Sequence, residues 1–263
     1  MPKVDLNLQF LFSEYEIKDR YKKAADLGFK YVELQNPYSI NLVELKGLID
    51  DLGLKQVLVN IDVNDNDLKS SNLAINPLKQ DIFKRRVDQS VKYCEALSIS
   101  SINCTPGPKI DGVSKEDQYS TLVSNLSYAS PIFEECGTKL LMEPINTFDQ
   151  PEFLIYRSDV GAKLIQDVNH KNMGLQYDVY HMQLMEGNLI RNIEKYLNII
   201  GHIQIADVPG RNEPGTGEIG YENIFKFLDD NGYKGFVGAE YIPKINTESG
   251  LSWIKNYKHL KID

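Results

Sequence analysis

The stretch Cys136-Gly137-Thr138-Lys139-Leu140-Leu141-Met142-Glu143-Pro144-Ile145-Asn146 carries the pattern on which the fold turns. A glycine just past a helix end takes the left-handed conformation without Cβ strain, so Gly137 closes one helix. The apolar run after it opens a strand, and polar residues interrupt that run at its late end. The same punctuation recurs at Leu27-Gly28-Phe29-Lys30, Leu52-Gly53-Leu54-Lys55 and Asn231-Gly232-Tyr233-Lys234.

Working outward, strand-like runs occupy Val4–Phe12, Tyr31–Gln35, Gln56–Asp62, Ser101–Thr105, Lys139–Asn146, Gly174–His181, His202–Val208 and Phe236–Ile242. Helical apolar spacing fills Ile17–Leu27, Leu42–Leu52, Pro77–Leu97, Lys115–Cys136, Ser158–Val168, Leu189–Ile200, Tyr221–Asn231 and Glu248–His259, with Ser158 reading as a cap. Strict alternation of strand and helix implies an α/β protein with a parallel sheet and right-handed crossovers. Eight such units in 263 residues match a (β/α)8 TIM barrel. An open doubly wound sheet would show a Gly-rich loop after its first strand, and Phe10-Leu11-Phe12-Ser13-Glu14 is not one. No linker or low-complexity stretch divides residues 1–263, which read as a single barrel domain.

Lys plus Arg is 29 against 37 Asp plus Glu, a formal charge of −8 that argues against nucleic acid and anionic membranes as partners. No apolar run approaches the roughly 18 residues of a spanning helix. The start, Met1-Pro2-Lys3-Val4-Asp5, lacks a signal peptide's apolar core. Cys94, Cys104 and Cys136 lack metal-type spacing and fit reduced thiols. A cytoplasmic protein acting on a small molecule is expected, with a homo-oligomer left open.

Active sites of such barrels lie at the C-terminal ends of the strands. There the fifth to eighth strands carry Glu143, Asp178, Gln204 and Glu240. Converging carboxylates repel, at on the order of 4 kcal/mol per pair 4 Å apart with an effective dielectric of 20. No Lys or Arg interrupts these four strands before their C-terminal loops, so a divalent cation would satisfy the set. Three carboxylates and one amide suit a hard ion, Mg²⁺ or Mn²⁺. Each residue could instead cap a loop. His181 follows Asp178 at the mouth, where it could touch substrate, whereas His202 begins its strand and reads as structural. Arg211 lies in the Gly- and Pro-rich loop Val208–Ile219 and could bind a substrate carboxylate or remain a solvated loop residue. Glu33, Asn60, Asp62 and Asn103 would line the other half of the mouth, and their spacing assigns them no role.

The stretches Glu143-Pro144-Ile145-Asn146-Thr147, Gln176-Tyr177-Asp178-Val179-Tyr180-His181, Gly201-His202-Ile203-Gln204-Ile205-Ala206-Asp207, Pro209-Gly210-Arg211 and Gly238-Ala239-Glu240-Tyr241 resemble hydroxypyruvate isomerases. The resemblance extends along the chain and reaches the wider xylose-isomerase-like sugar isomerase and epimerase superfamily, near the 2-oxo-tetronate isomerases. It implies aldehyde–ketone isomerisation of a small hydroxy-carbonyl acid, with Glu143 and Glu240 as the catalytic acid/base pair. It implies one Mg²⁺ or Mn²⁺ on Glu143, Asp178, Gln204 and Glu240, and places His181, Arg211 and Asp149 against substrate. Phe148 stands where the family commonly carries an arginine, Asn212 where it carries a histidine, and Asn60-Ile61-Asp62-Val63-Asn64-Asp65 departs from the family's Gly-containing loop.

A ketose 3-epimerase on the same barrel and a non-catalytic sugar-binding barrel are the alternatives. Zinc-cluster phosphodiester hydrolysis would need many histidines and a basic surface, against four histidines and a charge of −8 here.

Overall fold

The computed structural model describes residues 1–63 and 72–262, so Asn64 and Asp65 of the loop after the third strand lie outside the described residues. Eight parallel strands close into a barrel in chain order: β1 (Lys3–Asn7), β2 (Tyr31–Glu33), β3 (Lys55–Asn60), β4 (Ser101–Cys104), β5 (Lys139–Met142), β6 (Met173–Asp178), β7 (Ile200–Ile205) and β8 (Phe236–Ala239). Around them run α1 (Ile17–Asp26), α2 (Leu42–Leu52), α3 (Gln80–Leu97), α4 (Lys115–Glu135), α5 (Ser158–Val168), α6 (Val179–Met185), α7 (Leu189–Tyr196) and α8 (Tyr221–Asp230). Among the described residues no helix is long and apolar enough to cross a membrane.

The glycine punctuation works as the sequence implies. Gly28, Gly53, Gly137 and Gly232 each follow a helix with φ of +85°, +65°, +73° and +73°. Every strand stops short of its expected end, and four departures from expectation have a visible cause or a consequence. The first strand stops at Asn7, where the Asn7 side chain takes the amides of Gln9 and Phe10 and turns the chain. The sixth stops at Asp178, because Asp178 caps α6 and sends His181 onto a helix. The expected last helix is one turn, α9 (Thr247–Gly250), followed by a 3₁₀ segment, Leu251–Asn256. Ser158 is the first residue of α5 and not its cap; its hydroxyl donates to Glu186 instead, at 2.6 Å.

Alternate residues of each strand face opposite sides. Val4, Leu6, Val32, Ile102, Leu140, Leu175, Ile203 and Val237 pack outward under the helices. Inside, the lower barrel holds a separate apolar plug of Val57, Leu58 and Leu141 against Tyr31 and Phe236. Gly201 makes room for that plug, since a Cβ there would lie 2.6 Å from Leu141 Cδ2. Above the plug the interior turns polar. Asn7, Glu33, Asn103, Gln176, Asp178, His202 and Gln204 are all buried within it.

The loop from β7 to α8 is built on Asp207. Its Oδ1 accepts from the amides of Val208 at 2.9 Å and Ile219 at 3.1 Å, and its Oδ2 from Gly215 at 2.8 Å and Gly217 at 2.9 Å. Those bonds bring Arg211 over the mouth at a φ of +53°. A non-glycine residue in the left-handed region is strained, and two backbone bonds brace it here: Asp207 to the Asn212 carbonyl at 2.9 Å and Ile242 to the Arg211 carbonyl at 2.7 Å. Asp207→Asn would turn an N–H₂ against two of the loop amides. It should cost about 1–3 kcal/mol in urea unfolding and open residues 208–219 to limited proteolysis, whereas a loop as resistant as wild type would refute the role of Asp207.

Candidate active site

Glu143, Asp178, Gln204 and Glu240 meet at the upper end of the barrel, and all four are buried. Two stand on strands, where Asp178 and Gln204 are register partners, and two stand one residue past strand ends. Asp178 is held by its capping role. Its Oδ1 accepts from the Tyr180 amide at 2.8 Å, which leaves Oδ2 buried, with no hydrogen-bond partner among the described residues, and turned into the mouth. Asn103 donates to Glu143 Oε2 at 2.7 Å.

Glu240 is the most heavily held of the three carboxylates in this set. Its Oε2 accepts from Asn7 at 2.8 Å, from Gln35 at 2.9 Å and from Gln204. Its Oε1 accepts from Arg211 Nη2, and the same nitrogen lies 3.8 Å from Asp178 Oδ2. No Lys or Arg stands at the upper ends of these four strands, as the sequence implies, yet a cation still reaches their acids from outside them. The loop after β7 returns a guanidinium to them. Arg211 is clamped between aromatic faces, 4.6 Å from the Phe10 ring centroid and 5.1 Å from that of Tyr180. Its Nε is buried and meets no acceptor among the described residues.

The electrostatics follow from burial. Desolvation, then the neighbouring charge of Asp178, pushes Glu143 up to about 8. Desolvation also raises Glu240 well above the carboxylate range, with Arg211 pulling the other way and Glu143 adding to the rise. Burial would raise Asp149 too, but hydrogen bonds from Asn146 and Tyr180 outweigh it and hold that carboxylate below its ordinary value.

His181 faces this cluster from α6. The orientation of Asn146 decides its tautomer, because Asn146 Oδ1 accepts the amides of Phe148 and Asp149 at 3.0 and 2.8 Å. Asn146 Nδ2 therefore donates, to Asp149 at 3.0 Å and to His181 Nδ1 at 2.6 Å. His181 then carries its proton on Nε2, 3.4 Å from Asp178 Oδ2. Desolvation lowers its pKa to about 4, so the ring is neutral at pH 7. Asp149 also accepts from Tyr180 at 2.9 Å, which ties it to the aromatic clamp on Arg211. Phe148 is exposed on the rim.

Glu143, Asp178 and His181 bring oxygen and nitrogen atoms within 4.8 Å of one another, and of these the two carboxylates are free to act as ligands while His181 Nε2 carries its proton. With the unpartnered Asp178 Oδ2 among them, this donor set fits a divalent cation. Gln204, as placed, turns Nε2 toward Glu240 and Glu33, and its Oε1 accepts from Gln176 at 2.6 Å. Asn7, Gln35, Gln176, Phe10 and Tyr180 were not singled out from the sequence. The signal for Asn7 and Gln176 was present, since each stands two residues from another polar residue inside an apolar strand. Phe10 and Tyr180 carry no such signal, because their partner Arg211 arrives from a distant loop.

The family model for xylose isomerase-like TIM barrels matches residues 21–257. Hydroxypyruvate isomerase of Escherichia coli is 40% identical over 258 residues, covering 98% of this chain and 100% of the relative. A 2-oxo-tetronate isomerase of Haemophilus influenzae is 36% identical over 261 residues, covering 98% and 100%. A crystal structure described as AP endonuclease, family 2, from Brucella melitensis superposes with a TM-score of 0.94 at 34% identity, covering 98% of this chain and 99% of that one. With these matches running along almost its whole length, the chain belongs to the xylose isomerase-like TIM barrel family.

Proposed function

We propose that this protein isomerises a small hydroxy-carbonyl acid between its aldehyde and ketone forms, on a substrate like hydroxypyruvate or a 2-oxo-tetronate. The observation that carries the reading is the pair Glu143 and Glu240, two buried carboxyls at one barrel mouth, the first pushed up to about 8 by burial and Asp178 and the second raised in the same direction by burial. A general acid or base works best when its pKa lies near the operating pH. The names of the full-length relatives support the same reaction class.

In this reading one glutamate removes the proton from the carbon that bears the hydroxyl, and electrons shift to give an enediolate. A proton then returns to the former carbonyl carbon while one moves between the two oxygens, so the atoms balance. The Nε2–H of His181 can donate to a substrate oxygen. Arg211, with an unmatched N–H inside its aromatic clamp, is placed to take the substrate carboxylate. Asp149 holds Tyr180 against that guanidinium and borders the substrate. A divalent Mg²⁺ or Mn²⁺, when bound, would supply electrophilic stabilisation of developing oxyanion charge. Glu143 and Asp178 would hold it, with Glu240 joining through a carboxylate oxygen and Gln204 through Oε1 in place of its bond from Gln176, so that Gln204 Nε2 stays on Glu33 and Glu240.

Glu143→Gln and Glu240→Gln should each lower turnover by about 10²–10⁴-fold while the circular dichroism stays native. The assay is a panel of hydroxypyruvate, 2-oxo-tetronates and ketoses in D₂O, read by loss of the C–H proton signal. Undiminished exchange in the double variant would refute the assigned roles.

A second expectation concerns stability. Glu143 binds its proton more tightly folded, near pH 8, than at the ordinary value of 4.5. Its contribution is therefore fully present below about pH 4.5 and is lost as pH rises through about 8. In chelator-treated protein, the urea midpoint of Glu143→Gln should gain on wild type from pH 5 to 8. A constant difference across that window would show that burial does not raise Glu143.

A further inference from the structure

Glu33 stands at the end of β2, inside the barrel and beneath Glu240, and the proposed chemistry makes no use of it. We propose that Glu33 is a positioning residue, whose carboxylate orients the side-chain amides of Asn7 and Gln204 so that both donate to Glu240. The proposal rests on the reading of Glu240 as a catalytic residue.

The geometry is a pair of parallel bridges. Asn7 Nδ2 lies 2.7 Å from Glu33 Oε1 and 2.8 Å from Glu240 Oε2. Gln204 Nε2 lies 2.7 Å from the same Glu33 oxygen and donates to the same Glu240 oxygen. Each amide nitrogen carries two hydrogens, one for each carboxylate. A side-chain amide can exchange its oxygen and nitrogen ends with no change of shape, so its shape does not decide its direction. An ionised carboxylate can only accept, so Glu33 decides the direction of Gln204, whose other partner is the reversible amide of Gln176, and acts with the backbone amides of Gln9 and Phe10 to fix that of Asn7. With both nitrogens turned inward, Asn7 Oδ1 takes the amides of Gln9 and Phe10 at 2.9 and 3.3 Å, and Gln204 Oε1 takes Gln176. The same choice therefore also shapes the turn that carries Phe10 onto Arg211.

The barrel in turn holds Glu33. His202 Nε2 lies 2.8 Å from Glu33 Oε2, and the fully buried Asp5 sits against the same carboxylate. Burial and the charge of Glu33 raise Asp5 well above its ordinary value. Gly238 of β8 completes the seat, since a Cβ there would stand 2.8 Å from both Glu33 oxygens. A barrel interior is ordinarily filled by branched apolar side chains, and an unpaired buried carboxylate is costly. Here its donors come from β1 and β7, and a missing side chain on β8 leaves it room.

Three variants test the proposal. Glu33→Met removes both acceptor oxygens at similar volume, Glu33→Gln keeps one oxygen for the amides, and Gly238→Ala presses on the carboxylate while leaving it in place. The readout independent of catalysis is hydrogen exchange of the Asn7 and Gln204 side-chain NH₂ groups by ¹⁵N NMR. Exchange should be slow in wild type and Glu33→Gln, and about tenfold or more faster in Glu33→Met and Gly238→Ala. The kinetic readout is kcat falling about 100-fold in Glu33→Met and Gly238→Ala with KM within about threefold, while Glu33→Gln recovers most of the rate.

Unchanged NH₂ exchange in Gly238→Ala and Glu33→Met overturns the proposal, as does loosened exchange with native kcat. A divalent ion bound by Asp5, Glu33 and His202, which also offer atoms within 4.8 Å of one another, would overturn it too. Should Glu33→Met fail to fold, Gly238→Ala and Glu33→Gln carry both readouts. Full turnover in Glu240→Gln would instead refute the catalytic reading of Glu240, and the exchange measurement would still decide what orients the two amides.

Discussion

Five carboxyl groups, on Asp5, Glu33, Glu143, Asp178 and Glu240, are buried inside one barrel, and the surrounding structure is arranged to hold them out of water. Placed 4 Å apart, ionised carboxylates repel by several kcal/mol even at a generous effective dielectric. The protein meets this in three ways. Arg211 supplies a full positive charge at the mouth. The amides of Asn7, Gln35, Asn103 and Gln204 supply partial positive charge at fixed points. The residual repulsion and desolvation leave Glu143 and Glu240 readier to hold protons than exposed glutamates are.

The arrangement separates two tasks along the barrel axis. The lower interior, with Val57, Leu58 and Leu141, is packed as a core and closes the barrel. The upper interior is a hydrogen-bonded lattice in which nearly every amide has its direction decided by a neighbour. Asn146 settles the tautomer of His181, and Asp178 uses one oxygen on a helix end and keeps the other for the mouth. Such networks lose little to reorganisation during a reaction, because the dipoles are already set.

The loop after β7 joins the two halves of the site. Asp207 gathers four backbone amides and gives a Gly- and Pro-rich segment a defined path without regular secondary structure. That path lets Arg211 cross above β8 and stack between Phe10 of the first loop and Tyr180 of α6. The guanidinium thus ties the first, sixth, seventh and eighth units of the barrel together at one point. Phe148, exposed on the rim, adds no charge to this mouth, which leaves Arg211 as the nearest cation described there.

Much of this was legible in the chain. Alternating apolar runs with glycines at their boundaries specify strands and helices locally, and eight such units in order admit few closures other than the barrel. Glu143, Asp178, Gln204 and Glu240 stood out because a polar residue late in an apolar strand has few reasons to be there. Direction and partnership were not legible. Glu33 could be placed at a strand end but given no role, because the amides it orients come from β1 and β7, 26 and 171 positions away in sequence. Arg211 could be marked as a mouth residue, but not as the counter-charge to Glu240, because a loop's path depends on bonds that form only after the barrel closes. Local sequence settles what each segment becomes, since dihedral preference and apolar period act over a few residues. Only the closed barrel settles which buried groups share a proton, a charge or an amide, since those energies depend on distances that exist once all eight strands are in place.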